Sequence, residues 1–270
     1  MIRTIKDLEG LDAKEIEAAR SAINMRGLYY MGVKRLGTQQ GMTLDQYTEW
    51  KALPAAEPCR ACHGTGLWKS PERSVGTIHA SSSASCVRRL YYDVDGSLQP
   101  KSNISPELQI TFAMGHAIHD VVQRALHKAL PGKFQDEMTV DLDEAMVLGS
   151  HTDGVAELEH ARVLIEIKSI GKEFDTLTKP KDEHITQAVA IYAKALDVPF
   201  ISFLYVSKSW PHNVKEFVMV YDEKYFKRWW KSKGSVVDMA LETGEPPIAD
   251  ASKDDCSMCP YSYCCPQVLR

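Results

Sequence analysis

No apolar run in this 270-residue chain reaches the roughly 18 residues that span a bilayer. Met1 to Asp7 holds no apolar segment of the secretory kind, so a cytoplasmic, reducing compartment is expected. No repeat recurs and no low-complexity tract is present, which excludes a solenoid and a fibre. Excess charge is missing too. Lys and Arg number 32 against 36 Asp and Glu, a net charge of −4, so a nucleic-acid partner requires a local basic patch. Cysteine is present, seven times. In a reducing compartment these thiols read as metal ligands rather than disulfides. Hydrophobic residues at 44% and charged residues at 25% describe an ordinary globular chain of one large or two small domains.

The pattern along the chain alternates helix and strand. Asp12 can cap a helix whose Ile16, Ala19, Ala22 and Ile23 share one face. Residues 53–85 read as loop, with three prolines and the run Ser81-Ser82-Ser83. A helix is predicted from Pro106 to Leu130, with Pro106 in its first turn. Strands are predicted near 137–142, 146–157 and 162–168, then a helix from Asp182 to Leu196. Two more strands, Phe200–Val206 and Glu216–Tyr221, precede a helix over Lys224–Leu241. This order predicts an α/β chain with a mixed sheet flanked by helices.

Glu166 and Lys168 lie two apart in Val163-Leu164-Ile165-Glu166-Ile167-Lys168, so both leave one face of a strand. Ionised groups in so apolar a run are expensive to bury unless they pair or bind a metal. A hairpin would bring Asp153 beside Glu166. Two carboxylates around a divalent cation, with a lysine near the attacking water, suit phosphodiester hydrolysis. The bland alternative is a cross-strand salt bridge. Glu-x-Lys alone decides nothing, but the apolar setting and Asp153 favour a site.

Gly115-His116-Ala117-Ile118-His119 resembles the Gly-x-x-x-His motif of RecB-type nucleases of the PD-(D/E)XK superfamily. Asp153 and Glu166-Ile167-Lys168 resemble their Asp…Glu-x-Lys core, and Gln187 the glutamine of their Gln-x-x-x-Tyr motif. The resemblance runs from about residue 80 to the C-terminus and implies a restriction-endonuclease-like fold. It also implies that His119, Asp153, Glu166 and the Ile167 carbonyl ligate Mn2+ or Mg2+. Lys168 would be the catalytic lysine, and Gln187 would orient it or the DNA backbone. Thr152 stands where the superfamily has a variable proline. Tyr192 follows Gln187 by five residues rather than four. Five α-helical steps turn it well off the glutamine's face, which favours core over site.

Cys256, Cys259 and Cys265 crowd the C-terminus, with Cys264 an adjacent competitor. With distant Cys86 they resemble a RecB-like subgroup that includes the AddB nuclease domain, a CRISPR-associated exonuclease and phage recombination exonucleases. There four such cysteines hold a 4Fe-4S cluster that pins the tail to the core. A four-cysteine zinc site is the alternative, because thiolates suit both. Cys59 and Cys62 form a separate half-knuckle for which a second zinc is expected. His63, His79 or Cys264 could complete it, and nothing in the sequence chooses.

In the resemblance, Arg88 and Arg89 lie near the DNA path, where phosphate contacts are expected. The cations and aromatics of Lys224–Lys233 could grip single-stranded DNA. An amphipathic helix with Phe226, Trp229 and Trp230 packed inward is the preferred reading. The sequence divides into an N-terminal helical extension, 1–78, and a nuclease domain, 79–270, closed by the cysteine cluster. By resemblance the chain is a metal-dependent exonuclease acting on single-stranded DNA or DNA ends. Cleavage would run from 5′ to 3′ in phage-type recombination, beside a single-strand annealing protein. The alternatives are a CRISPR-adaptation nuclease and, in another class, a non-catalytic DNA-end-binding scaffold.

Overall fold

The computed structural model describes residues 1–37, 76–101, 105–209, 212–257 and 259–265. Cys59, Cys62 and most of the predicted 53–85 loop lie outside the described residues. Helix α1 (Ala13–Ala22) begins as predicted at Asp12. Its carboxylate accepts from Lys14 N and Glu15 N, and the Glu15 side chain accepts from Asp12 N, a capping box. Helices α2 (Met25–Gly37) and α3 (Val87–Asp95) follow, neither of them predicted. The predicted central helix is α4 (Pro106–Ala129), with Ser105 Oγ accepting from Leu108 N at its start.

Among the described residues, seven strands form two sheets. Strands β1 (Phe134–Gln135), β4 (Gly154–Glu157), β5 (Arg162–Ile170), β6 (Phe200–Ser207) and β7 (Val214–Val220) build a five-stranded sheet in the order β1-β4-β5-β6-β7. Only β5 and β6 run parallel, so the sheet is mixed, as predicted. Strands β2 (Thr139–Leu142) and β3 (Val147–His151) pair as a separate ribbon. Helix α5 begins as an α-turn, Asp182–Ile185, widens into a π-helix over Thr186–Tyr192 and closes at Ala193–Ala195. Helix α6 repeats the device: Glu223–Trp229, a π stretch Trp230–Gly234, then Ser235–Thr243. A short α7 (Lys253–Ser257) precedes the last cysteines.

Strand β5 is buried on both faces over Val163–Ile167 because helices cover both sides. Val163, Ile165 and Ile167 pack with Val122 and Leu126 of α4 and Met25 of α2. Leu164 packs on the other face with Val189, Ile191 and Tyr192 of α5 and Leu90 of α3. Burying each such aliphatic side chain contributes about 1.5–3 kcal/mol. Phe226, Trp229 and Val237 are core as well, and Trp229 Nε1 donates to Ser83 O (2.8 Å), so the aromatics of α6 follow the packing reading.

One predicted element divides. The run 146–157 was expected as one strand, but it breaks at Thr152-Asp153 into β3 and β4, which belong to different sheets. Thr152 N donates to Met138 O (3.0 Å), which draws the chain toward the ribbon just before it joins β5. No helix among the described residues is long and apolar enough to cross a membrane.

Candidate active site

The break places a functional side chain. Strand β4 starts at Gly154, paired with Ile165, so β5 runs on past the end of its neighbour. The Ile167 N–H would face no strand there, and it donates instead to Asp153 Oδ2 (2.6 Å). Asp153 Oδ1 meets His119 Nδ1 of α4 at 3.0 Å. His119 lies one turn beyond Gly115. A Cβ at Gly115 would stand 3.4 Å from Ser169 Oγ, an ordinary contact, which places this turn of α4 beside the end of β5.

Glu166 and Lys168 leave the opposite face from Ile167, toward α5, as their spacing predicts. Glu166 is only 1% exposed. One of its carboxylate oxygens contacts the Lys168 ammonium, and neither oxygen has a hydrogen bond of regular geometry. Lys168 Nζ also donates to Gln187 Oε1 (3.4 Å), and Gln187 Nε2 donates to Tyr192 Oη (3.0 Å). Two chains of contacts result, His119–Asp153–Ile167 N and Glu166–Lys168–Gln187–Tyr192, and the β5 backbone joins them.

Tyr192 lies in the core, as the sequence favours, but it faces Gln187, which an α-helix would not allow. Five residues of α-helix would turn it about 140° away from Gln187. The π-helix hydrogen-bonds from i to i+5 and so stacks residues five apart. In this wider turn tyrosine and glutamine meet.

The charges are strongly perturbed. Burial pushes the Glu166 carboxyl up to about 7, against the pull of Lys168. Burial also pushes Asp153 upward, but His119 and Lys168 outweigh it and hold that carboxyl below its usual range. Burial lowers His119, and Asp153 more than restores it, leaving the imidazole above its ordinary value. Lys168 is likewise held high by Glu166 and Asp153 despite burial. Two carboxylates a strand apart thus differ sharply, one firmly ionised and one poised near neutrality. Among the described residues, no three His, Cys, Asp or Glu side chains converge as a ready single-ion site.

Several residues near the site carried no sequence signal. Gln123, one turn after His119, donates from Nε2 to Asp153 O (2.9 Å) and to Glu137 Oε1 (3.2 Å). Glu137 adopts a left-handed backbone, φ 51°, unusual for a non-glycine. Tyr205, beside Lys168 in the parallel register, accepts from Lys181 N (3.0 Å) and lies 2.6 Å from His184 Nδ1. The direction of that last bond follows the His184 tautomer, since a hydroxyl can donate one bond and accept two. Only the spatial proximity of strands and helix, invisible in the linear order, brings these groups together.

Burial, then Lys168 and Lys181, depress His184 to about 3. An unfolded histidine takes its proton near pH 6.5. The stabilisation from keeping His184 neutral is therefore complete above pH 6.5 and is lost as the pH falls toward 3. Its slope is at most about 1.4 kcal/mol per pH unit, less where solvent reaches the ring. We expect the stability gap between wild type and His184→Asn to narrow from pH 6.5 to 4 in urea melts. A gap independent of pH would contradict a buried neutral imidazole.

Four cysteines line a second cavity. Cys86, Cys256, Cys259 and Cys265 line one cavity of about 400 Å³, with Arg88, Arg89 and Lys233 in its wall. Cys86 immediately precedes α3, and the other three come from the tail. Burial raises the Cys256 thiol, and the Cys86 and Cys265 thiols raise it further. Cys264 turns aside, its Sγ donating to Tyr261 O (3.3 Å). Arg88 Nε donates to Pro247 O (2.6 Å), and its Nη1 lies 3.9 Å from Cys265 Sγ. Arg89 Nη2 donates to Ser82 Oγ (3.3 Å), and its Nε lies 3.8 Å from Asp93. Both arginines therefore face the cysteine cavity.

No protein-family model matches the chain, and no curated protein does. Solved structures give distant similarity. A protein titled SSO0001 is 16% identical, with a TM-score of 0.46 over 85% of this chain and all of that one. An alkaline exonuclease, LHK-Exo from Laribacter hongkongensis, is 16% identical, with a TM-score of 0.45 over 63% of this chain and 90% of that one. LHK-Exo in complex with dAMP gives 18% identity and 0.46 over the same shares.

Proposed function

We propose that this chain is a metal-dependent deoxyribonuclease that degrades DNA from its ends. The observation that carries the reading is Glu166. A carboxylate at 1% exposure, with one ammonium contact and no regular hydrogen bond, is a charge that folding leaves incompletely compensated. Two carboxylates, an imidazole and the Ile167 carbonyl are donor types that suit Mn2+ or Mg2+, with the nitrogen favouring manganese, and an ion would have to draw the three side chains together. His119, Asp153, Glu166 and Ile167 would hold the ion. When bound, it would polarise the scissile phosphate and lower the pKa of an attacking water. Lys168 would orient that water or stabilise the developing charge. Gln187 fixes the Lys168 ammonium, and Tyr192 fixes Gln187.

Cleavage from 5′ to 3′, service in phage-type recombination in a host cytoplasm, and partnership with a single-strand annealing protein remain part of this proposal. So does the division into 1–78 and 79–270, and so does a zinc at Cys59 and Cys62. For the second centre we propose a 4Fe-4S cluster on Cys86, Cys256, Cys259 and Cys265. Four thiols ringing one cavity support a cluster better than a single zinc. Arg88, Arg89 and Lys233 would offset its negative charge. The cluster would tie the tail to the start of α3.

The test uses protein purified without oxygen and DNA labelled at its 5′ or 3′ end. We expect shortening with Mn2+ or Mg2+, none with EDTA, loss of the 5′ label first, and a brown sample containing iron. DNA bound but uncut in every metal would replace the nuclease with an end-binding scaffold. Zinc without iron would replace the cluster.

A further inference from the structure

Helix α4 holds Asp153 twice. His119 contacts its side chain, and one turn later Gln123 donates to its main-chain carbonyl (2.9 Å). Residues four apart on a helix lie on one face, so a single stripe of α4 sets both ends of the aspartate. Gln123 is 9% exposed, a depth at which an amide must be bonded. Both Nε2 protons are used, because the same nitrogen donates to Glu137 Oε1 (3.2 Å). Glu137 belongs to the loop whose next residue, Met138, accepts from Thr152 N (3.0 Å). The Thr152-Asp153 turn is thus clamped from two sides, by the loop directly and by α4 through Gln123.

The turn needs this support. It lies where the chain leaves one sheet for the other, so no continuous strand ladder fixes the Asp153 peptide. Its carboxylate must nevertheless present a fixed edge, since Oδ2 already accepts from Ile167 N and Oδ1 faces His119. A small rotation of the peptide would swing the carboxylate off both.

We propose that Gln123 is a positioning residue that sets the orientation of Asp153 toward a bound divalent cation. The inference rests on the metal-dependent reading above. Groups that orient metal ligands change metal affinity or activity by roughly 10- to 100-fold when removed. Gln123→Met keeps the length and removes both donors. Gln123→Glu keeps the shape, removes the donors as a carboxylate, and covers the case in which methionine fails to fold.

The experiment is a calorimetric Mn2+ titration of wild type, both Gln123 variants and Asp153→Asn, with steady-state cleavage alongside. We expect wild type to bind, Asp153→Asn to lose binding, and both Gln123 variants to bind roughly 10- to 100-fold more weakly. Their kcat should recover at saturating Mn2+, with KM for DNA unchanged. If the Gln123 variants melt lower yet bind Mn2+ as wild type does, the glutamine is only structural and the inference falls. If wild type binds no Mn2+, the metal reading itself fails and takes the inference with it.

Discussion

Lys168→Ala will lower DNA hydrolysis on the order of 10³-fold and leave DNA binding close to wild type. The lysine contacts Glu166 and lies 3.4 Å from Gln187 Oε1, so it is aimed at the buried carboxylate rather than at solvent. Its removal strips Glu166 of its nearest positive charge. Mn2+ should then raise the melting temperature of the variant more than that of wild type, because the ion replaces the missing charge. Single-turnover cleavage of end-labelled DNA, binding by anisotropy, and melting with and without Mn2+ together decide the matter. A variant that cuts at the wild-type rate removes Lys168 from the chemistry.

The largest expected stability effect lies away from the charges. A Cβ on Gly32 of α2 would stand 1.9 Å from Ala125 O and 2.5 Å from Ala125 C in α4. Backbone cannot yield as a flexible side chain can. Overpacking costs about 1–3 kcal/mol in ordinary cores, and this contact should reach or pass the top of that range. Gly32→Ala should therefore lower the melting temperature by roughly 10 °C, taking about 2–4 °C per kcal/mol at this size. Because α4 carries His119 and Gln123, the variant should also lose activity below its melting temperature. Thermal melts and cleavage at 25 °C would show both, and an unchanged melting temperature would mean that α2 and α4 separate freely.

The sequence exposes the centre of this site more fully than its frame. Glu166 and Lys168 stand out because ionised residues are conspicuous in an apolar strand. The helix over 106–129 is legible from its start signal and stripe. The break at Thr152-Asp153 is hidden, since 146–157 reads as uninterrupted strand and only the bond from Thr152 N to Met138 O reveals the turn. Gln123 is hidden for another reason. A glutamine in a helix normally faces water, and only the fold brings Asp153 O to it. Arg88 and Arg89 read as phosphate contacts near a DNA path, and the fold also sets both in the wall of the cysteine cavity, which the sequence does not show. Gly32 carries no local turn signal at all, because its partner is 93 positions away in the chain.

The wide turn of α5 has a bearing on how this chain came to have its spacing. An inserted residue in an α-helix ordinarily rotates everything beyond it by about 100°, which would have torn Tyr192 from Gln187 or pushed Ala193 out of the core. A π-helical bulge localises the insertion instead. Gln187 near its start keeps its grip on Lys168, Tyr192 at its end reaches Gln187, and Ala193 beyond it stays in the core. Distance along the chain between two cooperating side chains is then a poor guide to the distance between their atoms.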